Sequence, residues 1–76
     1  MVLERSSSVG LFGRTRYKTY VSYNNQIYCF SQSESGESLV FPAKKEDGSY
    51  IITSFEEILD FSICKGVADI AQRGRF

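Results

Sequence analysis

The groups in this chain whose types and spacing could do chemistry are few. They are two cysteines (Cys29 and Cys64), two carboxylates four residues apart (Glu56 and Asp60), and the alternating run Arg14, Arg16, Lys18, Tyr20. Histidine is absent, which removes the commonest general base, the Ser–His and Cys–His nucleophile pairs, and the commonest metal ligand. Two thiols without histidine do not complete a tetrahedral zinc site within one chain, and theirs is not a zinc-knuckle spacing. Glu56 and Asp60 would share a helix face and suggest a divalent-cation pair. Yet Ser54-Phe55-Glu56-Glu57 also has the form of a helix capping box, where acids complement the free N–H groups of the first turn. Lys44-Lys45 lacks the preceding glycines of a phosphate loop, and no G-x-G-x-x-G occurs. No catalytic constellation assembles, so the expectation is a non-enzymatic protein with no cofactor and no metal.

Binding is the function class that remains. A single-strand nucleic-acid platform needs cations for phosphates beside exposed rings for bases. Arg14, Arg16, Lys18 and Tyr20 have that composition, and Arg73 and Arg75 in the terminal RGRF could add a second contact. The formal net charge is zero, which argues against a general polyelectrolyte binder. The charges are nevertheless sorted along the chain. Residues 1–30 carry four basic groups against one acid, residues 31–64 two against seven, and residues 65–76 three against one. An acidic face drawn from Glu34, Glu37, Glu46 and Asp47 would suit a basic partner, and basic ends around an acidic middle would also suit self-association. The reading is therefore a protein-binding module: a small inhibitor, adaptor or accessory protein of the phage or mobile-element type, acting through an acidic segment and an aromatic-rich sheet. The alternative is a single-stranded nucleic-acid-binding protein that works as a homodimer. A self-assembling subunit that pairs edge strands across a two-fold axis is a third reading.

The elements that must position these groups follow from size and pattern. Seventy-six residues, 42% apolar and 24% charged, make one globular domain with a thin core, much of it supplied by six Phe and five Tyr. Residues 1–13, with Ser6-Ser7-Ser8 and two glycines, read as a flexible arm. TRYKTYVSY (15–23) and QIYCFSQ (26–32) are rich in β-branched and aromatic residues, and Asn24-Asn25 between them suits a two-residue hairpin turn. That register opposes residues whose numbers sum to 49. It places Tyr17, Thr19, Val21 and Tyr23 with Tyr28 and Phe30 on the core face, and Tyr20 on the opposite face beside Arg16 and Lys18. Strands follow at 39–42, ended by Pro42, and at 49–53, with Asp47-Gly48 as a turn. A helix is expected over 55–65, with Phe55, Ile58 and Leu59 on its buried stripe and Gly66 as its stop. A second short helix is expected over 67–73. The expected fold is α+β: a small antiparallel meander of about four strands in a 14–76 domain, followed by one or two C-terminal helices.

The order of strands and helix, with GSYIITSFEEIL joining the last strand to the helix, resembles the transcriptional-coactivator family of single-strand DNA binders over roughly residues 15–65. That resemblance implies a homodimer and a nucleic-acid ligand. Three strands followed by a helix are also similar to chromodomains, whose aromatic cages bind methyl-lysine. No apolar run is long enough for a membrane span, and MVLERSSSVGLFG lacks the basic start and apolar stretch of a secretion signal. The expectation is a cytoplasmic protein without a membrane partner, its thiols more at home reduced than bridged.

Overall fold

The computed structural model describes residues 1–9 and 13–73. The chain is α+β: a five-stranded antiparallel meander, in spatial order β1-β2-β3-β4-β5, followed by one helix. The strands are β1 (Val2–Val9), β2 (Thr15–Tyr23), β3 (Gln26–Ser33), β4 (Ser38–Glu46) and β5 (Ser49–Ile52), and the helix is α1 (Phe61–Arg73). Among the described residues no helix is long and apolar enough to cross a membrane.

The β2–β3 hairpin has the expected register, from Arg16 opposite Ser33 to Tyr23 opposite Gln26. Asn24 and Asn25 take φ of 50° and 62°, the positive values that match a two-residue turn to the twist of its strands. Asp47 and Gly48 do the same between β4 and β5, at 52° and 82°.

Three elements differ from expectation. The serine-rich stretch read as an arm is an edge strand, with Glu4 through Val9 paired to Tyr20 through Thr15. Serine's weak strand preference is overridden because a full-length neighbour, β2, offers its backbone groups. Gly10–Phe12, the rest of that arm, lie outside the described residues. Pro42 does not end a strand, for β4 runs through it between β3 and β5. Its carbonyl accepts from Thr53 N–H at 2.9 Å, beyond the end of β5. The missing proline N–H therefore faces the side where the ladder has already ended.

The helix begins later than the capping-box pattern suggests. Ser54 Oγ accepts from Glu56 N–H at 3.2 Å in a local turn that does not start a helix. The cap is Asp60, whose Oδ1 accepts from the N–H groups of Ser62 (2.9 Å) and Ile63 (3.3 Å). One continuous helix then crosses Gly66 and takes in the expected second one. The strand–cap–helix junction on which the DNA-binder resemblance rests is thus absent. Gly66 is a packing site, since a Cβ placed there would lie 2.5 Å from the Tyr23 ring.

Both faces of the sheet carry a core. On the helix side Val21, Tyr28, Phe30 and Val40 pack against Val67 and Ala71 of α1. On the far side Tyr20, Cys29 and Phe41 form a second cluster, flanked by Leu3, Leu39, Ala43, Tyr50 and Ile52. A β-bulge between Val2 and Glu4 adjusts this corner, with Val2 beside the first cluster and Leu3 beside the second. Cys29 and Cys64 are free, and they belong to opposite sides of the sheet.

Candidate functional site

The basic and aromatic run is dismantled by packing. Tyr20 is only 6% exposed. Its ring stacks on Tyr50 at 5.5 Å between centroids and 25° between planes. Burial pushes its phenol above the ordinary value, and the neighbouring Cys29 adds to that shift. Burial likewise raises the Cys29 thiol, opposed by the positive charge of Lys18. Tyr20 is therefore a core residue, contrary to the expectation of an exposed stacking ring. A sheet with one core face would leave Tyr20 outside, but here the far face carries a core too. Tyr17, expected in the core, is 49% exposed instead: α1 packs on β2 at Val21, and Tyr17 lines an open groove.

Arg16 lies half-buried on the far face, its Nε–H donating to Ser31 Oγ at 3.0 Å. Its Nη2 is buried without a hydrogen-bond partner among the described residues. Lys18 is half-buried and Arg14 exposed. Arg73 ends α1, where a cation complements the helix dipole. Arg75 lies outside the described residues. Among the described residues, Tyr20 is withdrawn into the far-side core, and the half-exposed Tyr17 alternates onto the other face of the sheet from Arg16 and Lys18.

The four acids do not form one face either. Glu34 and Glu37 flank the β3–β4 turn, while Glu46 and Asp47 lie at the β4–β5 turn, the opposite end of β4. All four are exposed, and Glu46 is held by Lys44 in an exposed ion pair of 2.7 Å. A pair like that contributes little to stability.

The arrangement that does concentrate binding potential is residues 53–61, between β5 and α1. Phe55, Leu59 and Phe61 are 79%, 80% and 78% exposed, and Glu56, Glu57 and Asp60 are exposed among them. The segment has no regular secondary structure before Phe61, yet it is anchored. Thr53 N–H donates to Pro42 O, and Ile58 N–H donates to Val40 O at 2.7 Å. The Ile58 side chain packs on the helix-side core, and its carbonyl accepts from Cys64 Sγ at 3.0 Å. Asp60 then locks the far end by capping α1. The Phe55 ring makes an edge contact with Phe41, 5.8 Å between centroids. The result is a ridge whose backbone is fixed at Ile58 while large apolar side chains stand in water. Burial raises the Cys64 thiol beneath it, with the Asp60 and Glu57 carboxylates adding to the shift.

Burying a Phe or Leu side chain fully is worth roughly 1.5–3 kcal/mol. The fold leaves three such gains unused within one short, anchored stretch. A helix over 55–65 would hide Phe55 and Leu59 on its buried stripe, but α1 begins at Phe61 and both are exposed. The signal against that placement was present in Ile63, Val67, Ile70 and Ala71, which continue one helical stripe straight across Gly66. A helix with that stripe starts at Asp60, which leaves Phe55 and Leu59 outside it.

Among the described residues, an open groove of about 810 Å³ lies beside the last turn of α1, lined by Arg5, Tyr17, Gln32, Glu34 and Gln72 among others. Its strongest cation is already engaged: Arg5 donates from Nη1 to Thr19 Oγ1 at 3.1 Å and from Nη2 to Ala71 O at 2.7 Å. Arg5 there closes the end of the helix. No protein-family model, curated protein or solved structure matches this chain.

Proposed function

We propose that the chain is a non-enzymatic protein-binding module, a small inhibitor, adaptor or accessory protein, whose recognition element is the ridge 55–61. One observation carries this reading: three large apolar side chains, each about four-fifths exposed, stand on a segment whose backbone is pinned to β4 and α1. A pre-fixed segment spends little ordering entropy on binding, so the area it buries is available for affinity. Apolar anchors rimmed by polar groups are the usual anatomy of a protein interface. The acids Glu56, Glu57 and Asp60, with no cation between residues 53 and 61, set the chemistry of the partner. It presents an apolar depression bordered by Lys or Arg. Glu46 and Asp47 add negative charge elsewhere on the surface and steer approach without making the contact. Phage or mobile-element origin and action in a reducing cytoplasm remain part of the proposal, motivated by size and by the two free thiols.

Affinity capture from the host proteome tests it, comparing the wild type with a Leu59→Ser/Phe61→Ser variant and a Tyr17→Ser control. The reading requires a defined protein partner that the control retains and the ridge variant loses. Equal capture by all three would refute the ridge, and retention of nucleic acid alone would transfer the function to the alternative reading.

A further inference from the structure

The outer edge of β1 bears on how the protein associates with itself, independently of the ridge. β1 is the terminal strand of the sheet. The direction of its backbone groups follows from its first pair. Met1 and Ser22 exchange two hydrogen bonds, the terminal ammonium to Ser22 O at 3.0 Å and Ser22 N–H to Met1 O at 2.9 Å. In an antiparallel pair such residues alternate along the strand. Ser22, Tyr20, Lys18 and Arg16 therefore turn their backbone groups towards β1. Their partners Glu4, Ser6 and Ser8 turn theirs inward to meet them. Arg5, Ser7 and Val9 then direct N–H and C=O outward, and among the described residues no strand pairs with that edge.

Sheet edges are normally protected by proline, by inward charges, by bulges or by brevity. β1 has eight residues and no proline, its bulge lies at the Val2 end, and its one inward-turned charge, Arg5, is tied to Thr19 Oγ1 and Ala71 O, which leaves Ser6–Val9 uncharged and without a bulge. From Glu4 to Val9 every side chain is exposed. We infer that a second copy of the chain pairs here, β1 against β1 across a two-fold axis, to make one continuous ten-stranded sheet. The pattern of outward groups admits registers in which Arg5, Ser7 and Val9 face one another's backbone. With Ser7 opposite its own copy, Arg5 meets Val9 and Ser6 meets Ser8. No like charges are opposed, and the aliphatic stem of Arg5 lies beside the Val9 side chain, which is otherwise 71% exposed. A two-fold axis makes the strand its own complement, so no foreign sequence is needed to match it.

Light scattering coupled to size-exclusion chromatography, from micromolar to millimolar protein, reads the outcome directly. The wild type is expected to shift from the 8.6 kDa monomer to twice that mass as concentration rises. Ser7→Pro removes only an outward N–H and should abolish the dimer while leaving the circular dichroism spectrum intact. Ser7→Lys, which keeps the backbone and opposes two cations at the axis, should also abolish it, and covers the case in which the proline variant misfolds. A wild type that stays monomeric throughout overturns the inference. So does a dimer that survives Ser7→Lys, or one lost only in Leu59→Ser/Phe61→Ser. This result is separable from the partner-binding test, since neither Ser7 variant touches the ridge.

Discussion

Gly66→Ala sets two opposing effects of known size against each other. Alanine is the better helix former by about 0.8–1 kcal/mol in a helix interior, so the substitution at a free helical site would stabilise. At Gly66 the new Cβ would lie 2.5 Å from Tyr23 Cζ, 2.6 Å from Cε1 and 2.8 Å from the hydroxyl. Two ring carbons and the hydroxyl of one tyrosine block it, so either the ring swings out or α1 lifts from β2. Lifting would open the contact that keeps Val67 fully buried and Ala71 at 2% exposure. Overpacking of this kind costs about 1–3 kcal/mol. The expected net effect is a loss of about 1 kcal/mol, read from the midpoint of urea unfolding followed by circular dichroism at constant slope. In a Tyr23→Ala background the obstacle is gone, and Gly66→Ala should then gain about 1 kcal/mol. The change of sign between backgrounds is the diagnostic, a coupling of about 2 kcal/mol between residues in contact. If Gly66→Ala stabilises the wild-type background as much as the Tyr23→Ala one, the reasoning is refuted and α1 does not lie this close to β2.

Three further outcomes follow from the same structure. Tyr20→Ala should cost about 3–5 kcal/mol, as for a buried aromatic, measured by the same unfolding assay; a near-neutral result would mean that the far-side cluster is not a core. Asp60→Ala should cost about 1 kcal/mol through the lost helix cap, with Asp60→Asn recovering most of it; equal losses in the two variants would deny the cap. Stability should fall as pH rises above about 9. The folded Cys29 and Cys64 thiols and the Tyr20 phenol titrate above their ordinary values of 9.0, 9.0 and 10.0, so in that window the unfolded chain releases protons that the folded chain keeps, and rising pH favours unfolding. Removing both thiols, Cys29→Ala with Cys64→Ala, should delay the onset towards pH 10, where only the Tyr20 phenol is left; an unchanged onset would assign the alkaline loss elsewhere.

The hairpin was readable because its evidence is local. Asn24-Asn25 sets the turn, the turn sets the register, and the register sorts side chains between faces. The α+β class and the C-terminal helix were readable for the same reason. What escaped depended on neighbours distant in sequence. Ser6-Ser7-Ser8 has no intrinsic strand signal, and β1 exists because β2 presents an open edge to it. Tyr20 looked surplus because one buried face satisfied the hairpin pattern, and nothing in residues 15–32 reveals that Phe41, Tyr50 and Leu3 converge on the other. The ridge was misread through a true local motif: Ser54 does accept a backbone N–H, but from Glu56 in a turn rather than from the N3 residue of a helix. Asp60, three residues before the long apolar stripe of α1, was the stronger cap. The candidate site was least legible of all, since its defining property is exposure, and Phe55, Leu59 and Phe61 are the residue types that pattern reading assigns to a core.

If the 55–61 ridge serves a partner, the fold does not need its exposed side chains. The most direct test is the unfolding free energy of Leu59→Ser/Phe61→Ser. Side chains this exposed should be dispensable, so the double variant is expected to match the wild type within about 0.5 kcal/mol, with an unchanged denaturant slope. A loss of about 3 kcal/mol or more, the scale of removing two buried apolar side chains, would show that the ridge belongs to the core and would contradict the proposal.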